Sequence, residues 1–212
     1  AIKKYLKQKW KPKRIEYIAY GVRKLPSVDK QTERKILKQY HLEPLSYYLT
    51  IGRIVAENGI HMEVEAVRKS KTRKKLVIVG PLNPKDPYIK HLFKLKGKDK
   101  RIIFTGGIYD PKTLYVLRKN CFAYIHAYEV GGTNPSLLEQ LQFDRPIIAR
   151  DVPFHREILR DRGMYFKTVS ELTIMIEILE KENVTVRFEV PQVFTWRWVA
   201  KRYGQLFKAL IK

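Results

Sequence analysis

The chain has 212 residues, with 43 Lys and Arg against 21 Asp and Glu, a formal charge of +22. At 44% hydrophobic and 12% aromatic residues it is too apolar for a disordered polyelectrolyte, and its single cysteine, Cys121, excludes an intramolecular disulfide and a cysteine-built zinc site. The longest apolar runs, in KKLVIVG and RIIFTGG, fall far short of the roughly 18 to 20 residues of a spanning helix, and the basic start AIKKYLKQKWKPKR lacks the apolar core of a secretory signal.

In chain order, residues 1–14 carry a basic amphipathic helix pattern. Runs rich in β-branched and aromatic residues follow at 15–21, 47–52, 75–80, 101–106, 121–127 and 145–150 and read as strands. They are continuously apolar rather than alternating, which implies burial on both faces, as in a parallel sheet covered by helices. Helical periodicity fills the intervals at 30–40, 60–70, 86–96, 154–160 and 170–182. Two further helices start at Asp110-Pro111 and Asn134-Pro135, where an Asx cap precedes a proline that loses no hydrogen bond in the first turn. This alternation predicts an α/β fold with a Rossmann-like, doubly wound parallel sheet. A second basic amphipathic helix closes the chain at 195–211, with Trp196, Val199, Tyr203, Leu206, Phe207 and Leu210 along one face, and both terminal helices are expected to dock outside the repeating unit.

The charge draws polyanions, whether nucleic acid, anionic lipid or a nucleoside diphosphate. Cations recur in every third of the chain, at 1–14, 68–75 and 94–101 among other places, and no RNA-binding aromatic signature or zinc-finger spacing accompanies them, so no specific nucleic-acid partner is expected. His41, His61 and His91 share no ligand spacing, and no metal site is expected.

The segment HAYEVGGTNPSLLEQLQFDRPIIARDVPFHREILRDRGMYF, 126–166, is the most informative. A buried strand runs into Gly131 and Gly132, then Thr133, then the helix start at Asn134 and Pro135. Glycines allow the backbone close to a ligand, and a helix start presents free N–H groups suited to phosphate. The plain alternative is a tight turn with an ordinary cap. Arg53 follows the strand at 47–52, where a guanidinium makes bidentate phosphate contacts or is one solvated arginine among many.

The segment resembles the donor-binding signature of retaining GT-B glycosyltransferases of family 4, also called group 1, through His126, GGTNPSLLE (131–139), RPIIARD (145–151), PFHREIL (153–159) and GMYF (163–166). Upstream, TIGRIVAEN (50–58) is similar to the family's arginine loop, LVIVGP (76–81) and IIFTGGIYD (102–110) to its next strands, and FTWRWVAKRYGQLF (194–207) to its terminal crossover helix. YIAYG together with GGTNPSLLE looks most like a rhamnosyltransferase-like subgroup.

The resemblance implies the C-terminal half of a GT-B fold. Residues 1–20 would be the end of an absent N-terminal acceptor domain or an interdomain segment, 21–194 the nucleotide-sugar domain and 195–212 the crossover helix. It also implies glycosyl transfer from a nucleotide-diphosphate sugar to a glycan or lipid-linked acceptor, with no further cofactor and no metal, this chain alone being inactive without the acceptor domain or a partner subunit. Donor binding would fall to Arg53, Tyr109, Gly131, Gly132, Thr133, Asn134, Ser136, Leu137 and Glu139. Glu139 would meet a ribose hydroxyl and, facing the ligand, would matter little to stability. With the charge, the resemblance implies a cytoplasmic protein lying on an anionic membrane surface.

Two positions depart from the family pattern. Asn58 stands where a second phosphate-binding cation is usual, and Gly131 where the first of two glutamates is usual, leaving the catalytic group unassigned between Glu129 and His126. A non-catalytic nucleotide-sugar-binding module, and a basic protein that binds membrane or nucleic acid, therefore stay open as alternatives.

Overall fold

The computed structural model describes residues 2–12, 14–182, 184 and 186–211; Ala1, Lys13, Asn183, Thr185 and Lys212, which the terminal-helix and domain readings include, lie outside the described residues. Six strands are present among them: β1 (Tyr47–Ile51), β2 (Lys75–Val79), β3 (Ile102–Gly106), β4 (Ala123–His126), β5 (Ile147–Arg150) and β6 (Met164–Phe166). They form one parallel sheet in the order β3-β2-β1-β4-β5-β6. The helices are α1 (Ile2–Trp10), α2 (Lys30–Gln39), α3 (Ile60–Lys69), α4 (Pro87–Lys96), α5 (Pro111–Asn120), α6 (Pro135–Gln140), α7 (Pro153–Leu159), α8 (Val169–Lys181) and α9 (Trp196–Leu210).

Successive strand residues feed two cores. Tyr47, Leu49, Tyr124 and Ile147 pack beneath α2, α5 and α6 through Leu37, Leu117 and Leu138. Tyr48, Ile78, Ile125 and Ile148 pack beneath α3, α4 and α8 through Val64, Leu92 and Ile176. Each such fully buried aliphatic side chain contributes roughly 1.5 to 3 kcal/mol. The expected prolines and caps set the helix starts: Asp110 accepts the Thr113 N–H at 2.8 Å before Pro111, and Asn134 accepts the Ser136 N–H at 2.8 Å around Pro135.

The strand expected at 15–21 does not form. Residues 14–28 run without regular structure, burying Ala19 and Leu25 in the core while Tyr17 and Tyr20 stay exposed. The segment gives one Val22 N–H to the Phe194 carbonyl at 2.7 Å instead of joining a ladder. Its apolar content seals one side of the core rather than pairing with an edge strand. The sixth strand is β6, whose three residues are too short to stand out as an apolar run.

The helix α9 docks on that N-terminal segment. A Cβ on Gly21 would come within 2.3 Å of the Trp196 ring, and Arg202 Nη2 meets Glu16 at 3.1 Å. Only Val199 of this helix is buried, and Trp196, Tyr203, Phe207 and Leu210 remain exposed. No helix among the described residues is long and apolar enough to cross a membrane.

Candidate functional site

The chain leaves β1 for β2 on one side, and β4 lies on β1's other side, so the strand order reverses between β1 and β4. Open α/β sheets bind ligands outside the carboxyl ends of strands at such a point. Here β1 delivers Gly52 and Arg53, and β4 delivers Ala127 and Tyr128. The Tyr128 ring lies flat on His126, with centroids 4.1 Å apart, and burial pushes its hydroxyl well above the ordinary phenol range. Asn58, in place of a cation, donates its side-chain amide to the Arg53 carbonyl at 2.7 Å and closes the loop after β1. The Arg53 guanidinium is exposed and makes no hydrogen bond or ion pair with any described residue.

Across the crevice, Gly131 adopts φ +148° with open space around its Cα, so backbone conformation rather than crowding calls for glycine there. The N–H groups of Gly131, Gly132, Thr133 and Asn134 donate to no described residue. Those of Ser136 and Leu137 differ from expectation. The Asn134 side chain takes both, at 2.8 and 3.4 Å, so they are satisfied internally. The Ser136 hydroxyl donates to the Ile51 carbonyl at 2.9 Å and lies 2.8 Å from the Tyr124 hydroxyl, which ties the start of α6 to the end of β1. This bond brings the glycine loop and Arg53 to one sheet edge. Thr133 shares a 2.7 Å hydrogen bond with Tyr17 of the N-terminal segment.

Glu139 does not stand free on the helix. Its Oε2 is 3.0 Å from Nη2 of Arg118, a fully buried side chain, and its Oε1 is 3.4 Å from Nε of Arg23, which is 53% exposed. The expectation that Glu139 matters little to stability is corrected: removing it strands a buried cation.

His126 and His155 form a second cluster behind the crevice. The ring centroids of His126 and His155 lie 4.9 Å apart and both side chains are sealed from solvent. The Nδ1 of His155 donates to the Arg150 carbonyl at 2.8 Å, while both nitrogens of His126 lack hydrogen-bond partners among the described residues. Burial lowers both pKa values, His155 to about 4 and His126 well below the usual imidazole range. Sealed under Tyr128, His126 packs against its neighbours and does not reach the crevice. Glu129 is exposed and pairs with Arg150 at 3.5 Å. Tyr109 follows β3, two strands from the crevice, and is 78% exposed. Buried Glu63, on α3, has Thr50 and the Ala127 N–H as polar neighbours, yet neither carboxyl oxygen completes a hydrogen bond, and burial raises its pKa well above the carboxylate range. No group of three or more metal-ligating side chains is present among the described residues.

Sequence reasoning missed Arg118, Arg23 and Tyr128. Arg118 ends a helix, where a cation ordinarily complements the dipole in water. Its spacing was the available signal, because it falls four residues after Leu114 and three before Cys121, on the buried stripe of α5.

The sequence pattern of the family described as glycosyl transferases group 1 matches residues 29–173, more than half of the chain. The chain belongs to the group 1 glycosyltransferases. An uncharacterized glycosyltransferase of Methanocaldococcus jannaschii is 24% identical over 217 residues, covering 93% of this chain and 53% of that protein. Among solved structures, a glycosyltransferase from Rickettsia africae superposes with a TM-score of 0.82 at 16% identity, over 100% of this chain and 62% of that one. Sucrose-phosphate synthase from Thermosynechococcus elongatus gives 0.72 at 19% identity, over 98% and 56%. Anabaena HepE, solved with UDP and glucose, gives 0.65 at 16% identity, over 84% and 53%. This group 1 glycosyltransferase chain therefore spans little more than half the length of these relatives, and the structural likenesses bear on its fold.

Proposed function

We propose that the chain is the donor-binding, C-terminal half of a retaining GT-B glycosyltransferase, taking a nucleotide-diphosphate sugar in the crevice between β1 and β4. One observation carries this reading: Arg53, whose guanidinium has no partner among the described residues, shares a sheet edge with four consecutive N–H groups, 131–134, that likewise donate to none of them, joined by the Ser136–Ile51 bond. Such donors match a diphosphate and stabilise the charge that develops on it as the glycosyl bond breaks. Glu139 then accepts from the ribose hydroxyls, its Oε1 exchanging Arg23 for ligand, and Tyr109 lies near the base. The UDP bound to HepE makes UDP the first donor nucleotide to try. The enzyme is of rhamnosyltransferase-like type, residues 1–20 are the end of the acceptor domain or an interdomain segment, and this chain alone binds donor without transferring it.

The exposed aromatic residues of α1 and α9, set among lysines and arginines, support a peripheral position on an anionic cytoplasmic membrane face. A nucleoside diphosphate affinity that holds between low and high salt, beside RNA binding that falls steeply, separates a built diphosphate site from general polyanion attraction. Loss of both in parallel with salt contradicts the donor reading.

A second reading, a non-catalytic nucleotide-sugar-binding module, is favoured by Gly131 at the first glutamate position and by the Glu129–Arg150 pair. Turnover of a bound nucleotide sugar by the full-length protein distinguishes the two.

A further inference from the structure

We propose that Arg118 is a positioning residue for donor recognition: it holds the Glu139 carboxylate from the buried side so that Oε1 is the oxygen offered to the ribose diol. This rests on the donor reading above. The Arg118 guanidinium meets three residues of a single helical turn. Nη2 bonds the Ser136 hydroxyl at 2.9 Å and Glu139 Oε2 at 3.0 Å, while Nη1 bonds the Ser136 carbonyl at 3.0 Å and Gln140 Oε1 at 3.3 Å. The Tyr124 ring centroid lies 5.5 Å from its Cζ.

The helix it holds, α6, has six residues, too few to be stable on its own hydrogen bonds. Packing alone would be served by an apolar side chain of similar volume, which costs less to bury than a cation. What a guanidinium adds is direction. Its planar fork holds four acceptors at once, the hydroxyl and carboxylate on Nη2 and the Ser136 carbonyl and Gln140 amide oxygen on Nη1, which the three donors of a lysine ammonium, a point charge, do not match. With Oε2 fixed from below, Oε1 is left to Arg23 on the solvent side, where a ligand hydroxyl replaces it.

The test titrates the full chain with UDP and 2′,3′-dideoxy-UDP, and with the guanosine pair in parallel, in wild type, Arg118→Lys, Glu139→Gln and the double variant. The wild type is expected to prefer the diol-bearing ligand by about tenfold or more. Arg118→Lys is expected to abolish that preference while leaving dideoxy affinity within about twofold, and to add nothing in the Glu139→Gln background. A folded Arg118→Lys that keeps the preference, or that loses affinity for both ligands equally, overturns the proposal. A wild type that never distinguishes the ligands removes the diol role of Glu139 itself, and the proposal with it. Preference lost in Glu139→Gln but retained in Arg118→Lys removes Arg118 alone. Should Arg118→Lys not fold, the arginine side-chain N–H resonances of the wild type answer the same question. Those of Arg118 are expected to shift with UDP and not with the dideoxy compound, and equal shifts or none overturn the proposal.

Discussion

A Cβ placed on Gly52 would lie 1.5 Å from the hydroxyl oxygen of Tyr128. The residue that follows β1 therefore has no side chain because Tyr128, two residues past the end of β4, fills that space, flat on His126. Gly52→Ala must push Tyr128 off the His126 ring, at a cost of about 1 to 3 kcal/mol. Urea denaturation of Gly52→Ala, alone and with Tyr128→Ala, checks this: the glycine substitution should cost much less once Tyr128 is gone. An equal cost in both backgrounds would show that Tyr128 is not the obstacle.

Glu139→Ala leaves Arg118 buried without its charged partner, with only the neutral acceptors of Ser136 and Gln140, and is expected to lower stability by about 3 kcal/mol, the low end of the range for breaking a buried pair. The double variant Arg118→Met with Glu139→Leu should recover most of that loss, because it removes both charges together. Chemical denaturation of the three variants supplies the comparison, and a Glu139→Ala protein as stable as wild type would place the pair in effective contact with water.

His155 is held neutral in the fold, with its pKa lowered to about 4 by burial against an ordinary 6.5. As pH falls from 6.5 the unfolded chain takes up a proton that the folded chain refuses, so stability is lost until about pH 4. At pH 5 the loss from this group amounts to roughly 2 kcal/mol. His155→Gln, which can keep a donor for the Arg150 carbonyl, should fall less than wild type between pH 7 and 5. Parallel melting curves for the two proteins would contradict the assignment.

Glu63 acts in the opposite direction. Burial raises its pKa, so it remains protonated in the fold while the unfolded chain ionises, and its cost grows as pH rises above the ordinary carboxyl value. Glu63→Gln is expected to stabilise the protein, more at pH 6 than at pH 4. A variant less stable than wild type at both values would mean that the acid completes a hydrogen bond an amide cannot.

The strands β1 to β5 and all the helices were legible in the sequence because each carries an apolar run or period of one kind, most of them bounded by Gly, Pro or an Asx or Thr cap. The segment 15–21 misled because branched and aromatic residues report burial, and Ala19 is buried by lying against a finished core rather than by pairing. The crevice followed from fold class and from the glycine loop. Its internal wiring did not, because the spacing that sets Arg118 on the buried stripe of α5 does not say which partners it meets there. The separation of 21 positions from Arg118 to Glu139 likewise carries no period that would announce an ion pair.

The central claim is tested most directly by calorimetry of the wild-type chain and Arg53→Ala with UDP, dTDP and GDP. The account predicts that at least one nucleotide binds the wild type and that Arg53→Ala weakens it by about tenfold or more, the loss of a charge-assisted phosphate contact, with stability unchanged because the Arg53 side chain is exposed and has no partner among the described residues. A folded wild type that binds none of the three, or an Arg53→Ala variant that binds as tightly as wild type, would contradict it.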